Sequence, residues 1–285
     1  RSQRPPLMNR NATVISEVNE TPANLRGLQI SRIGQAGTTA LSMTEKLRGE
    51  GISVSNVQFS GVNLAAGTLS GGSSAGLGFD SGILISSGAV SNLIGPNNSA
   101  SKSTNFNQPG DPGLTVMAGE DTFDAAVLEF DFVPQYNKIS LEYLLASEEY
   151  PEMIDYADVL AIWLDGVNIA LIPGTSTPVS IGNVNHLQNQ SYYVSNIPAN
   201  NVYSPPYTAP HDCQADGFTL PLHAIANVVP GATHHLRIAI ADLGDNVYDS
   251  WLMMKENSFH SACDLAVWLD NPLDPAQGSL ASYQL

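Results

Sequence analysis

The chain has 285 residues, of which 43% are hydrophobic and only 13% charged, with 24 Gly and 18 Pro; this mix suits a turn-rich β-protein and argues against a helical bundle, whose surface carries more Lys, Glu and Arg. Eleven basic against 27 acidic side chains give a formal charge of −16, which repels phosphate backbones and argues against nucleic acid as a partner. The longest apolar runs, such as Val159 to Leu164 and Ile169 to Pro173, are too short to span a bilayer, so no membrane span is expected.

Residues 1–37 read as an extended N-terminal segment with short alternating pieces such as Thr13 to Val18. The spacing of Leu41, Thr44, Glu45, Leu47 and Arg48, stopped by Gly49 and Gly51, predicts one short helix between Thr38 and Gly49. Ile52 to Phe59 alternates as a strand, and the glycine-rich stretch Gly67 to Gly82 leads into another at Ile83-Leu84-Ile85. Ser86 to Gly119 is rich in Asn, Pro, Gly and Ser and reads as a long surface loop of the kind that tends to carry function. Strand signals then become dense: Ala125 to Phe132, Lys138 to Ala146, Val159 to Leu164, Val167 to Ile172, His235 to Ala241 and Ser250 to Lys255. Leu164-Asp165-Gly166-Val167 predicts a hairpin between two of them. Many short strands and few helices predict a mainly all-β fold, a β-sandwich of jelly-roll type over residues 38–260. Residues 261–285 form a C-terminal extension with one strand-like piece, Leu265 to Leu269.

Little here suggests catalysis. Gly72-Ser73-Ser74-Ala75-Gly76 matches G-x-S-x-G, but it leads into a strand instead of the long helix that a nucleophile elbow needs, so it reads as a flexible turn. The histidines lack metal-ligand spacing; His234 and His235 are adjacent and on a strand point to opposite faces. The carboxylates carry more information. Between Lys138 and Arg237 there is no Lys or Arg, while Glu142, Glu148, Glu149, Glu152, Asp155, Asp158, Asp165, Asp212 and Asp216 all fall in that stretch. Glu148, Glu149 and Asp158 lie between two predicted strands, and Asp242 and Asp249 between two others. Calcium takes six to eight oxygens, often from such loops, so these five residues are the candidate calcium ligands. Two other readings stay open: turn acids that cap backbone amides, and a carboxylate pair for glycoside chemistry. Cys213 and Cys263 are expected to form one disulfide, and a chain that opens on Arg1 fits a secreted product whose leader has been removed.

Several words of the sequence, in order, resemble the choice-of-anchor L domain. They are Val54-Ser55-Asn56-Val57; Gly82 to Gly88; Leu144-Leu145-Ala146-Ser147-Glu148-Glu149-Tyr150-Pro151-Glu152; Asn168 to Gly174 with Pro178 to Ile181; Asp216 to Leu222; and Ile238 to Asp242 through Tyr248-Asp249-Ser250. The resemblance implies a bacterial extracellular domain tethered to the cell surface, without a known catalytic activity and without an agreed set of functional residues. No sorting signal follows Phe259, which departs from the family pattern. Taken together, these readings predict a secreted or cell-surface structural or adhesive subunit, not an enzyme, stabilised by calcium. It is expected to form a homo-oligomer or filament when the N-terminal segment adds as a strand to a neighbouring copy. The alternative is a calcium-dependent carbohydrate- or peptide-binding module of an adhesin, with a surface glycan or protein as partner.

Overall fold

The computed structural model describes residues 27–155 and 158–263. Strand β1 (Gln29–Arg32) is followed by helix α1 (Ala40–Leu47), where sequence spacing predicts one. Thr39 and Ser42 start that helix with a reciprocal cap: Thr39 Oγ1 accepts from Ser42 N at 3.1 Å, and Ser42 Oγ accepts from Thr39 N at 2.8 Å. Next come β2 (Ile52–Ser60), β3 (Ala66–Ser70), the single helical turn α2 (Gly72–Ala75), β4 (Gly82–Ser86) and helix α3 (Pro112–Ala118). The dense run of strands follows as β5 (Thr122–Pro134), β6 (Lys138–Ser147), β7 (Val159–Leu164), β8 (Val167–Asn168) and β9 (Tyr193–Ser195). The last are β10 (Gly217–Thr219), β11 (Leu222–Asn227), β12 (His234–Leu243), β13 (Ser250–Lys255) and β14 (His260–Ala262).

The strands make two antiparallel sheets, so the all-β sandwich expected from sequence is what the chain forms. One sheet runs β1-β3-β4-β13-β6-β10-β9, with β11 and β14 also paired to β6; the other runs β2-β5-β12-β7-β8. Apolar side chains from the two inner faces, among them Ile85, Phe130, Phe132, Ile162, Ile238 and Leu252, make the central core. Phe259 stands edge-on to Phe130 and Phe132, with ring centroids 5.6 and 5.0 Å apart. Both outer faces are covered as well. Leu77, Phe79, Val90 and Leu93 pack from loops onto Leu84, Leu144, Trp251 and Met253, and Leu114 of α3 packs over Val127, Ala161 and Ala239. Burial on two faces explains why β4 and β13 read as continuous apolar runs instead of alternating.

Three local expectations are refined. The β7–β8 hairpin turns at Asp165-Gly166, both at positive φ (49° and 85°), as a type I′ turn requires. β8 stops at Asn168 because that side chain takes over the ladder, its Oδ1 accepting from Ile162 N and Ala170 N. Ser86 to Gly119 is not one loose surface loop. It holds a buried 3-10 turn, Val90–Leu93, and helix α3, whose Asp111 caps Leu114 N and whose Gly119 ends it at φ 74°. Of residues 1–37, those from 27 onward are described, and β1 pairs with β3 of its own sheet, Gln29↔Ser70 to Arg32↔Gly67. Thr13 to Val18 and Leu265 to Leu269 lie outside the described residues.

The expected disulfide is not formed: Cys213 is buried, Cys263 exposed, and both thiols are free. Cys213 is tied through Asn196 to the β9–β10 pair, which joins β6 at Ser147. Cys263 follows β14, which pairs with β6 at Lys138. The ends of a ten-residue strand are about 30 Å apart, and a bridge needs Cα atoms within about 7 Å. Burial also pushes the Cys213 thiol up, away from the reactive thiolate. A maleimide reagent should therefore label Cys263 alone in the native protein and both cysteines in denaturant. Absence of any native label would mean that the thiols are joined after all.

Candidate functional site

Six strand ends meet at one end of the sandwich. On the first sheet the register pairs Trp251 with Ser86 and Ser250 with Ser147; on the second it pairs Asp242 with Phe123 and Ala241 with Val159. The residues just beyond those ends are Ser87, Glu148, Glu149, Asp158 and Asp249. All five carboxylates singled out in the sequence, Glu148, Glu149, Asp158, Asp242 and Asp249, therefore reach this end, and none is more than 4% exposed. Asp216 and Asp124 join them, also buried. Asp216 appeared in the sequence as one more acid of the cation-free stretch and as the first residue of a family-like stretch, not as a candidate ligand. Asp124 precedes the strand expected at Ala125 to Phe132 and was not singled out; in the fold it sits at φ 49°, a conformation that Asp tolerates better than most residues.

Most of these acids hold the chain between β4 and α3. Lys102 N donates to Glu148 Oε2 at 2.7 Å, Thr104 N to Asp249 Oδ1 at 2.7 Å, Phe106 N to Asp124 Oδ2 at 2.7 Å and Gln108 N to Asp124 Oδ1 at 2.5 Å. These are alternate residues, with a left-handed Asn107 (φ 54°) turning the N–H groups of Phe106 and Gln108 onto one carboxylate, and a row of carboxylates stands where a neighbouring strand would. Side chains reinforce the row. Asn92 Nδ2 donates to Asp249 Oδ2 at 2.9 Å, Asn97 Nδ2 to Asp216 Oδ1 at 2.7 Å, and Gln214 Nε2 to Asn97 Oδ1 at 3.0 Å. Gly88 is obligatory here, because a Cβ at that position would overlap the Asp249 carboxylate.

The electrostatics follow from burial without cations. Among the described residues, no ion pair reaches Glu148, Asp158, Asp216, Asp242 or Asp249. Loss of water pushes Asp249 and Asp216 up to about 7 and Asp158 up to about 8. Glu148 is raised well above the usual range by burial and then by the charge of Asp216, and Asp242 by burial and then by Asp158. Asp124 is raised by burial against the opposing pull of the Gln108 and Phe106 amides. Two buried oxygens, Asp242 Oδ1 and Asp216 Oδ2, have no hydrogen-bond donor. Among the described residues, no three His, Cys, Asp or Glu side chains are arranged to hold one metal ion.

Elsewhere the chemistry is sparse. Ser74 of the G-x-S-x-G stretch lies in the single turn α2 and lines an open cavity of about 300 Å³ with Tyr207, His211 and Asp212. The His211 ring packs edge-on against Phe218 at 5.0 Å with its Nδ1 face on Gly76, and among the described residues no hydrogen bond joins it to Ser74. His234 and His235 have separate partners, Asp165 at 2.6 Å and Asp131 at 2.8 Å, as opposite-facing neighbours should. A family model described as the Choice-of-anchor L domain matches residues 33–260, most of the chain. Neither the curated proteins nor the solved structures contain a match to it.

Proposed function

The chain belongs to the choice-of-anchor L domain family, a bacterial surface-associated and non-enzymatic domain type, and from that premise we propose that it is an extracellular structural or adhesive subunit that presents the 95–111 segment as a fixed platform. The observation that carries this reading is the use of the acids. A catalytic carboxylate has to be reached by substrate, whereas Glu148, Asp249 and Asp124 are sealed inside with the amides of Lys102, Thr104, Phe106 and Gln108 on their oxygens. Such a row of buried hydrogen bonds fixes a loop on a rigid scaffold, which is how binding surfaces are commonly built.

Asn107 and Gln108 of that platform are exposed, and α3, which follows it in the chain, exposes Val116, at 83%, and Met117. Amide side chains beside an apolar step suit a glycan or an extended peptide, which favours the adhesive form of the reading. Assembly into filaments by strand addition stays part of the proposal, with the residues before Gln29 as the donor. On intact source cells, antibody against this domain should label the surface, and external protease should remove the label. Confinement to the cytosolic fraction would overturn the reading, as would turnover of chromogenic glycosides or esters by the pure protein. Negative-stain microscopy of the same preparation separates a polymer from a monomeric adhesin.

A further inference from the structure

We propose that Asp158 and Asp242 bind a divalent cation of the calcium type where the two sheets meet. Of the five acids first considered as ligands, three already hold the chain in place. Asp249 accepts from Thr104 N and Asn92 Nδ2, Glu148 from Lys102 N and Gln214 Nε2, and Glu149 Oε2 from Asp158 N at 2.7 Å. Asp158 also holds the chain, its Oδ1 accepting from Leu243 N at 3.2 Å, whereas Asp242 stands apart from these. Both lean on one hydroxyl, Ser87 Oγ, which lies 3.4 Å from Asp158 Oδ2 and also bonds the Asp242 carboxylate, so the two acid groups flank it. Asp242 is 2% exposed, and its Oδ1 has no donor at all.

A buried carboxylate oxygen without a partner is rare in native proteins and usually marks a water or an ion. Asp158 beside it adds mutual repulsion between two buried carboxylates, and no Lys or Arg among the described residues pairs with either. A cation cancels both charges and satisfies the orphan oxygen. The donors on offer are carboxylate and hydroxyl oxygens, which selects a hard ion over zinc. Because no three carboxylates converge, the shell would be completed by Ser87 Oγ, carbonyl oxygens and water. So few charges place the affinity in the weak range of extracellular modules, with a dissociation constant of about 10⁻⁴–10⁻³ M. That affinity class rests on the extracellular reading; the site itself does not. Since Asp158 and Asp242 belong to the second sheet and Ser87 follows β4 of the first, the ion would tie the sheets together beneath the platform.

The test uses the whole chain, stripped with chelator and then titrated with calcium chloride against sodium chloride of equal ionic strength. At a hundred times the dissociation constant the melting temperature should rise by about 5–10 °C. Asp242→Asn should abolish the rise while melting no lower than the wild type in chelator, because it removes an uncompensated charge. Asp216→Asn, at the other unpartnered oxygen, should keep the rise. If the wild type shows no rise and equilibrium dialysis finds no bound calcium, the two acids share a proton and the proposal fails. It fails equally if Asp242→Asn responds like the wild type. Neither failure touches the surface reading, which is decided by labelling of intact cells.

Discussion

Replacing Asp249 by alanine should lower stability by about 3–5 kcal/mol, because at least two buried donors lose their acceptor and each costs about 1–3 kcal/mol when left unmet. The donors are Thr104 N and Asn92 Nδ2, at 2.7 and 2.9 Å, and Asp249 itself is 2% exposed, so water cannot replace it without opening the fold. For a domain of this size the melting temperature should fall by about 6–20 °C. Asp249→Asn keeps an oxygen for Thr104 N and should cost about half as much, with the remainder coming from the amide group turned towards Asn92. Proteolysis within residues 95–111 should accelerate in the alanine variant before the strands themselves become sensitive. An alanine variant that melts with the wild type would show that the acid does not anchor the segment.

Stability in chelator should fall as pH rises from about 4 to about 7, opposite to the trend produced by ordinary paired carboxylates. The unfolded chain releases these protons near pH 3.9, whereas folded Asp216 and Asp249 hold theirs to about 7. A raised folded value means that the contribution is fully present below about pH 4 and is lost as pH climbs through the folded value. Each such group removes about 1.4 kcal/mol per pH unit inside that window, and Asp158, held to about 8, acts in the same direction, so denaturant melts at pH 5 and 6 should differ by at least about 3 kcal/mol. Asp131, Asp165 and Glu256 are lowered and act the other way, but Asn56 and His235 hold Asp131 at an exposed site, and the windows of all three lie below about pH 4. The full drop approaches the entire stability of a typical domain, about 5–15 kcal/mol, so the 95–111 segment should loosen near pH 7 before the sandwich unfolds. Asp216→Asn should make the slope shallower. Stability that increases from pH 5 to pH 7 in chelator would contradict the account.

The sandwich was legible in the sequence wherever one signal was unopposed. Val159–Leu164 and Ser250–Lys255 were found at the residues where they form, and Asp165-Gly166 gave its turn, because turn chemistry and apolar runs agree there. Helix α3 was missed although Asp111-Pro112 and Gly119 punctuate it, since its seven residues bury only Leu114 and show no apolar stripe. The site was half legible. Acids between predicted strands pointed to Glu148, Glu149, Asp158, Asp242 and Asp249, but only register and burial reveal that Glu148 and Asp249, together with Asp124, bond the amides of residues 102–108. Asp124 acts through a backbone conformation that spacing does not encode. The expected Cys213–Cys263 bridge came from counting two thiols, and counting carries no information about which end of β6 each one meets.

Amide hydrogen exchange at Lys102, Thr104, Phe106 and Gln108 tests the central claim most directly, because these four N–H groups are the ones the buried carboxylates hold. Measured at pH 5, where the acids are in their stable protonated or bonded state, all four should be protected to within about tenfold of one another, and that of Asn105 should exchange faster. Exchange of all four at the rate of an unstructured peptide, with β6 still protected, would show that the segment is a free loop and that the acids do not build the platform.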